Sequence, residues 1–181
     1  MLKSSKIIAI TACDEQYGIG LKGQIPWHNT ADFKFFKQKT YGKTVIMGRK
    51  TMESLPKKSL FHRLNLVLSK KDEFEFESYS IKCGETHPLT YGPFGFSLIH
   101  NAISFATDYF NDYIHPIYII GGRQIYDLAF KEDIIDELHI TNIDSDYKCD
   151  TFFPIHHIEN WQKEKLDVEG LNVDCYKKVH D

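Results

Sequence analysis

Asp32 stands five residues after Trp27 in the run Pro26-Trp27-His28-Asn29-Thr30-Ala31-Asp32, at the start of a helical pattern that carries Phe33 and Phe36. With Thr30 as the capping residue, Asp32 falls in the first turn and shares a face with Phe36 at i, i+4. A carboxyl beside aromatic rings in a pocket is partly desolvated, which raises its pKa and permits proton exchange near neutrality. The helix dipole alone would also favour an acid there, so the chemistry of Asp32 depends on what surrounds it.

A second kind of chemistry is anion binding. Backbone N–H groups are free at helix N-termini, and glycine lets a ligand approach the chain closely. Three strand ends have the required residues: Val45-Ile46-Met47-Gly48-Arg49-Lys50-Thr51, Leu66-Val67-Leu68-Ser69-Lys70-Lys71 and Ile119-Ile120-Gly121-Gly122-Arg123-Gln124. Each alone is a common turn, and Arg49 could equally pair with Glu53 one helical turn on. Together they fit an extended ligand with several phosphates, and the cations Arg49, Lys50 and Lys70 fit one phosphate gripped by side chains. NADPH, with its extra 2'-phosphate, matches better than NADH. The glycines after the first strand have the Gly-x-Gly-x-x-Gly spacing but run on to Pro26 instead of opening a helix, so they do not make an ordinary Rossmann site. The glycines there read Gly18-Ile19-Gly20-Leu21-Lys22-Gly23, a spacing suited to a closing lid.

The elements that must position these residues alternate. Strand-like runs at 6–13, 44–47, 64–68, 80–83, 116–120 and 137–143 are interleaved with helical patterns at 31–40, 50–55, 97–110 and 124–130. That order predicts βαβ units and a mostly parallel, twisted sheet of about eight strands flanked by helices. Beyond Pro154 two strand-like segments, 161–168 and 172–179, are joined by a Glu169-Gly170 turn, so an antiparallel C-terminal hairpin completes an α/β fold. The stretch 84–95 is rich in Gly, Pro and polar residues and reads as a long surface loop.

Composition narrows the field. The 181 residues suit one domain, 1–181, and the net charge of −3 gives no field for nucleic acid or an anionic membrane. No apolar run approaches a membrane span. Cys13, Cys83, Cys149 and Cys175 are widely spaced, as reduced thiols of a cytoplasmic protein would be. No metal site is expected, and His156-His157 lacks a partner at metal-binding spacing.

Four pieces of the chain, in order, resemble dihydrofolate reductases: Ala12-x5-Gly18-Ile19-Gly20-x5-Pro26-Trp27-x4-Asp32, Val45-Ile46-Met47-Gly48-Arg49-Lys50-Thr51-x-Glu53-Ser54-Leu55, Ile120-Gly121-Gly122-x3-Tyr126, and Thr151-x-Phe153-Pro154. The resemblance covers nearly the whole chain. The spacing Pro-Trp-x4-Asp is like that of the bacterial-type enzymes, whereas vertebrate-type enzymes place a glutamate one residue later. Leu-Pro commonly stands where Asn29-Thr30 stands here, proline where Phe61 stands, and an aromatic residue where Met52 stands.

The resemblance implies NADPH-dependent reduction of 7,8-dihydrofolate to tetrahydrofolate, with hydride to C6 and a proton to N5, in support of one-carbon metabolism. It implies that Asp32 hydrogen-bonds the pterin and promotes protonation through water, with Thr141 bonded to this acid. Ile10 and Ile120 would offer carbonyls to the pterin, Trp27, Phe33 and Phe36 would line its pocket, and Arg63 would grip the α-carboxylate of the folate. Tyr126 would lie near both pterin and nicotinamide. Ala12, Ile19, Gly20, Lys22, Gly23 and Gln24 would border the nicotinamide. Gly48, Arg49, Lys50, Thr51, Leu68, Ser69, Lys70, Gly121, Gly122, Arg123, Gln124 and Ile125 would hold the rest of the cofactor. Antifolate-type molecules would share the substrate pocket of a monomer.

Two other readings compete. A pyrimidine reductase of riboflavin synthesis shares the fold and NADPH site, but Pro26-Trp27, Asp32 and Arg63 serve a pterin and its tail. A nucleotide-binding module without catalysis would have no use for Asp32, Thr141 and Arg63 together.

Overall fold

The computed structural model describes residues 5–70, 91–110 and 115–179. Strands β1 (Ile7–Cys13), β3 (Thr44–Gly48), β4 (Leu64–Leu68), β5 (Tyr91–Phe96), β6 (Ile117–Ile119) and β7 (Glu137–Asn142) join β9 (Gln162–Leu166) and β10 (Val173–Lys177) in one sheet. Its order is β5-β4-β3-β6-β1-β7-β10-β9. From β5 to β7 every pairing is parallel, and β10 runs antiparallel to both β7 and β9. A separate two-stranded sheet pairs β2 (Gly18–Gly20) with β8 (Thr151–Phe152).

The inner strands are apolar on both faces because both faces are covered. Val45, Ile46, Met47, Leu66 and Val67 are wholly buried. One face packs on α3 (Ile99–Tyr109) and α4 (Arg123–Lys131) through Ala102, Ala106, Ala129 and Phe130. The opposite face packs on α1 (Thr30–Thr40) and α2 (Arg49–Ser54) through Phe35 and Met52. Two parallel strands need a crossover, and the helices that supply it are amphipathic enough to bury these stripes.

The expected sheet and hairpin are present, with element ends shifted by a few residues. One expected loop is a strand. Residues 91–95 are not loop, since they belong to β5, parallel to β4 at the sheet edge. Gly92 and Pro93 disguised it, yet both are tolerated at an edge where the register shifts between Leu64 and Leu66. A side chain on Gly92, at φ +88, would meet the Asn65 carbonyl at 2.4 Å. The strand expected at 80–83 and the remainder of the 84–95 loop lie outside the described residues.

Candidate active site

α1 carries the acid. Its N-cap is Asn29, not Thr30: the Asn29 side chain accepts from the Asp32 amide at 3.0 Å. An amide oxygen at the cap reaches the third helical N–H as well as a hydroxyl would, so Asp32 still sits in the first turn. Burial pushes the Asp32 pKa above the ordinary carboxylate range, while a hydrogen bond with the Thr141 side chain pulls the other way. Thr141 comes from β7, where it lies beside Ala12 of β1 in register.

Around this pair the fold gathers further residues from the sequence expectation. Trp27 is buried against Tyr147, and its indole Nε1 has no hydrogen-bond partner among the described residues. A buried donor without an acceptor is costly, and an acceptor on a ligand or water would remove that cost. Ile10 presents its carbonyl to the Tyr126 hydroxyl at 2.8 Å, and Tyr126 is buried against Phe153. Phe36 is half-buried beside Ile8 and Ile10, whereas Phe33 is 41% exposed and faces His28. Phe35, unremarked in the sequence, is the ring of α1 that enters the core.

The other end of α1 holds a cation. Arg63 is buried, and its Nε and Nη2 donate to the Thr40 hydroxyl at 3.1 and 3.0 Å. Nη1 donates to the Phe61 carbonyl at 2.5 Å and Nη2 to that of Lys37 at 3.5 Å. Among the described residues no carboxylate pairs with it, and burial lowers its pKa. From Asp32 to Thr40 an α-helix rises about 12 Å. An acid and an unpaired buried guanidinium thus mark the two ends of one helix.

The glycine turn is shaped for close approach. The Gly121–Gly122 peptide is cis, and the Gly121 carbonyl accepts from the Gly48 amide at 2.8 Å, which ties the ends of β3 and β6 together. A Cβ on Gly48 would strike Ile125 at 2.9 Å; one on Gly121, at φ +112, would meet the Tyr126 hydroxyl at 3.2 Å; one on Gly122 would face Thr51 Oγ1 at 3.4 Å. α4 has Gly122 as its N-cap with no side-chain cap bond, and the amides of Arg123 and Gln124 at its start suit an anion. These features fit a dinucleotide cofactor. Ile120 and Leu68 add backbone at strand ends, Lys50 and Lys70 are exposed, and Arg49 pairs with Glu53 at 2.5 Å.

The 18–24 segment is pinned by a residue that the sequence expectation missed. Asp14 is buried and accepts from the amides of Gly18 at 2.7 Å, Gln16 at 2.9 Å and Tyr147 at 3.1 Å. Burial would raise its pKa, but these amides outweigh it and hold the carboxyl below its ordinary range. The only signal was an acid four residues before a glycine. Ile19 and Gly20 then lie in β2, and Lys22, Gly23 and Gln24 form a tight turn closed by the Leu21–Gln24 bridge.

A family model described as dihydrofolate reductase matches residues 6–173. The dihydrofolate reductase of Neisseria meningitidis is 35% identical over 158 residues, covering 87% of this chain and 85% of that protein. That of Neisseria gonorrhoeae matches to the same extent. A bifunctional dihydrofolate reductase-thymidylate synthase of Arabidopsis thaliana is also 35% identical, but the match covers only 26% of its length. The chain belongs to the dihydrofolate reductase family, whose members are oxidoreductases that use a nicotinamide cofactor.

Proposed function

We propose that this chain reduces 7,8-dihydrofolate to tetrahydrofolate with NADPH. One observation carries the reading: Asp32, bonded to Thr141, and Arg63, buried with no carboxylate partner among the described residues, stand at opposite ends of α1. A ligand that suits both has a hydrogen-bonding heterocycle at one end and a carboxylate at the other, which describes a folate and also an antifolate.

In this reading Asp32 accepts hydrogen bonds from the pterin's amino group and ring nitrogen. Burial raises its pKa above the ordinary carboxylate range, and the acid promotes protonation of N5 through water. Thr141 orients the carboxylate. The Ile10 and Ile120 carbonyls and Trp27 Nε1 fix the ring edge, Phe33 and Phe36 cover its face, and Arg63 binds the α-carboxylate with its fork. NADPH, when bound, supplies the hydride delivered to C6. Gly121 and Gly122 would let its pyrophosphate approach α4, with Arg123, Gln124, Ile125 and Tyr126 along that helix. Gly48, Thr51, Leu68 and Ser69 would flank it at neighbouring strand ends, and Ala12 with the 18–24 segment would cover the nicotinamide. Arg49, Lys50 and Lys70 favour NADPH over NADH through its additional phosphate.

The same reading takes the chain as a single monomeric domain acting in the cytoplasm, where its free thiols Cys13, Cys149 and Cys175 would stay reduced. Among the described residues no helix is long and apolar enough to cross a membrane. The decisive assay mixes the purified chain with dihydrofolate and either NADPH or NADH and follows loss of the reduced-nicotinamide absorbance. Turnover with a clear preference for NADPH is expected, and no turnover with either would sink the reading.

A further inference from the structure

The pair His156-His157 has no metal-binding partner nearby in sequence, but the fold brings one from α4. An oxygen of Asp127 and one nitrogen of each histidine all lie within 4.8 Å of one another. His157 is already oriented: its Nε2 is 2.8 Å from Asp127 Oδ1, and its ring stacks on Phe130 at 5.0 Å and 14°. Lys131 occupies the other oxygen of Asp127, Oδ2, at 2.6 Å. His156 is exposed, with its ring centroid 4.1 Å from that of His157.

We propose that Asp127, His156 and His157 bind a divalent transition-metal cation of the zinc class, which clamps α4 to the 3-10 turn Ile155–Ile158. Two imidazoles and one carboxylate form a donor set that zinc accepts, with solvent completing the shell on the open side. Bonds of about 2.0–2.1 Å put neighbouring donors about 3.3 Å apart in a tetrahedral zinc site. Reaching that spacing asks for rotation of the exposed His156 and a small parting of His157 from Asp127. Binding through His157 Nε2 displaces its hydrogen bond to Asp127 Oδ1, and the neutral imidazole ligand carries its single ring proton on Nδ1. None of the three residues belongs to the proposed substrate and cofactor set, and Tyr126 next door faces the opposite way, toward Ile10.

The test is calorimetric titration of zinc chloride into the whole chain, freed of metal with a chelator and held in a non-chelating buffer. One zinc per chain with micromolar affinity is expected. His156→Ala should weaken it by about 10–100-fold or more, because even the loss of an outer-shell contact costs that much. His156 is exposed and makes no hydrogen bond among the described residues, so this variant should melt like the parent without zinc. Zinc should then raise the melting temperature of the parent and not that of the variant. Asp127→Asn should lose zinc in the same way, whereas His100→Ala, altered on α3, should keep it. Failure of the parent to bind zinc, or equal affinity in parent and His156→Ala, would overturn the proposal. The second of those results would point instead to the buried group Glu137, His139 and Cys175.

Discussion

The hydrogen bond between Thr141 and Asp32 opposes what burial does to the same carboxyl. Burial favours the neutral acid, and the Thr141 hydroxyl favours the carboxylate. Removing the hydroxyl therefore pushes the pKa of Asp32 higher still. Thr141→Val should move the ionisation of Asp32 in the pH profile of kcat/KM to higher pH, and Thr141→Ser should restore it. A merely structural threonine would lower the rate without moving the profile.

Asp32→Asn separates catalysis from stability. Turnover at neutral pH should fall by about 10²–10⁴, the range for loss of an acid–base group, while affinity for the nicotinamide cofactor stays near that of the parent. Stability should move the opposite way. A carboxyl whose folded pKa is raised binds more protons folded than unfolded, so its ionisation erodes stability as pH rises above the unfolded value. The variant should melt above the parent at neutral pH, with the gap closing in acid. A variant that is no more stable at pH 7 than the parent would show that Asp32 is not desolvated.

Much of this site was legible because it is written in local chemistry. Apolar runs on both faces marked the inner strands, Gly121-Gly122 marked the turn, and Trp27 with Asp32 marked the head of α1. What was hidden depends on pairings that sequence does not contain. Residues 91–95 read as loop because their Gly and Pro are tolerated only at a sheet edge, and an edge exists only once the strand order is set. Asn29 and Thr30 are both capable caps, and the choice between them rests on backbone angles at the helix entry. Asp14 looks like any loop acid until three amides from two segments converge on it. His156-His157 meets Asp127 only because the turn after β8 lies beside α4.

Arg63 tests the substrate tail. Lysine keeps the charge but not the fork, and a charged hydrogen bond is worth about 1.5–3 kcal/mol, hence roughly 10–100-fold in affinity. Arg63→Lys should raise KM for dihydrofolate by about that factor with a smaller change in kcat. Dihydropteroate, which lacks the glutamyl carboxylates, should be handled alike by parent and variant. An equal penalty on both substrates would mean that Arg63 acts only through its bonds to Thr40, Phe61 and Lys37.

Asp14 tests whether the 18–24 segment must be held for the cofactor to stay. Asparagine keeps one acceptor but turns an NH₂ toward backbone donors, at either the Gly18 and Gln16 amides or that of Tyr147. A buried donor left without an acceptor costs about 1–3 kcal/mol, so Asp14→Asn should unfold at lower urea concentration and release the nicotinamide cofactor faster. The pH dependence has a definite sign. Because the folded pKa is depressed, the parent's advantage is present above the unfolded value and is lost as pH falls through the folded one. The urea midpoints of parent and variant should therefore differ at neutral pH and converge as the pH drops below about 4, near the ordinary aspartate value. Faster amide exchange at Gly18 in the variant would locate the change in the loop. Unchanged exchange there, with an unchanged cofactor off-rate, would rule out Asp14 as the anchor of the segment.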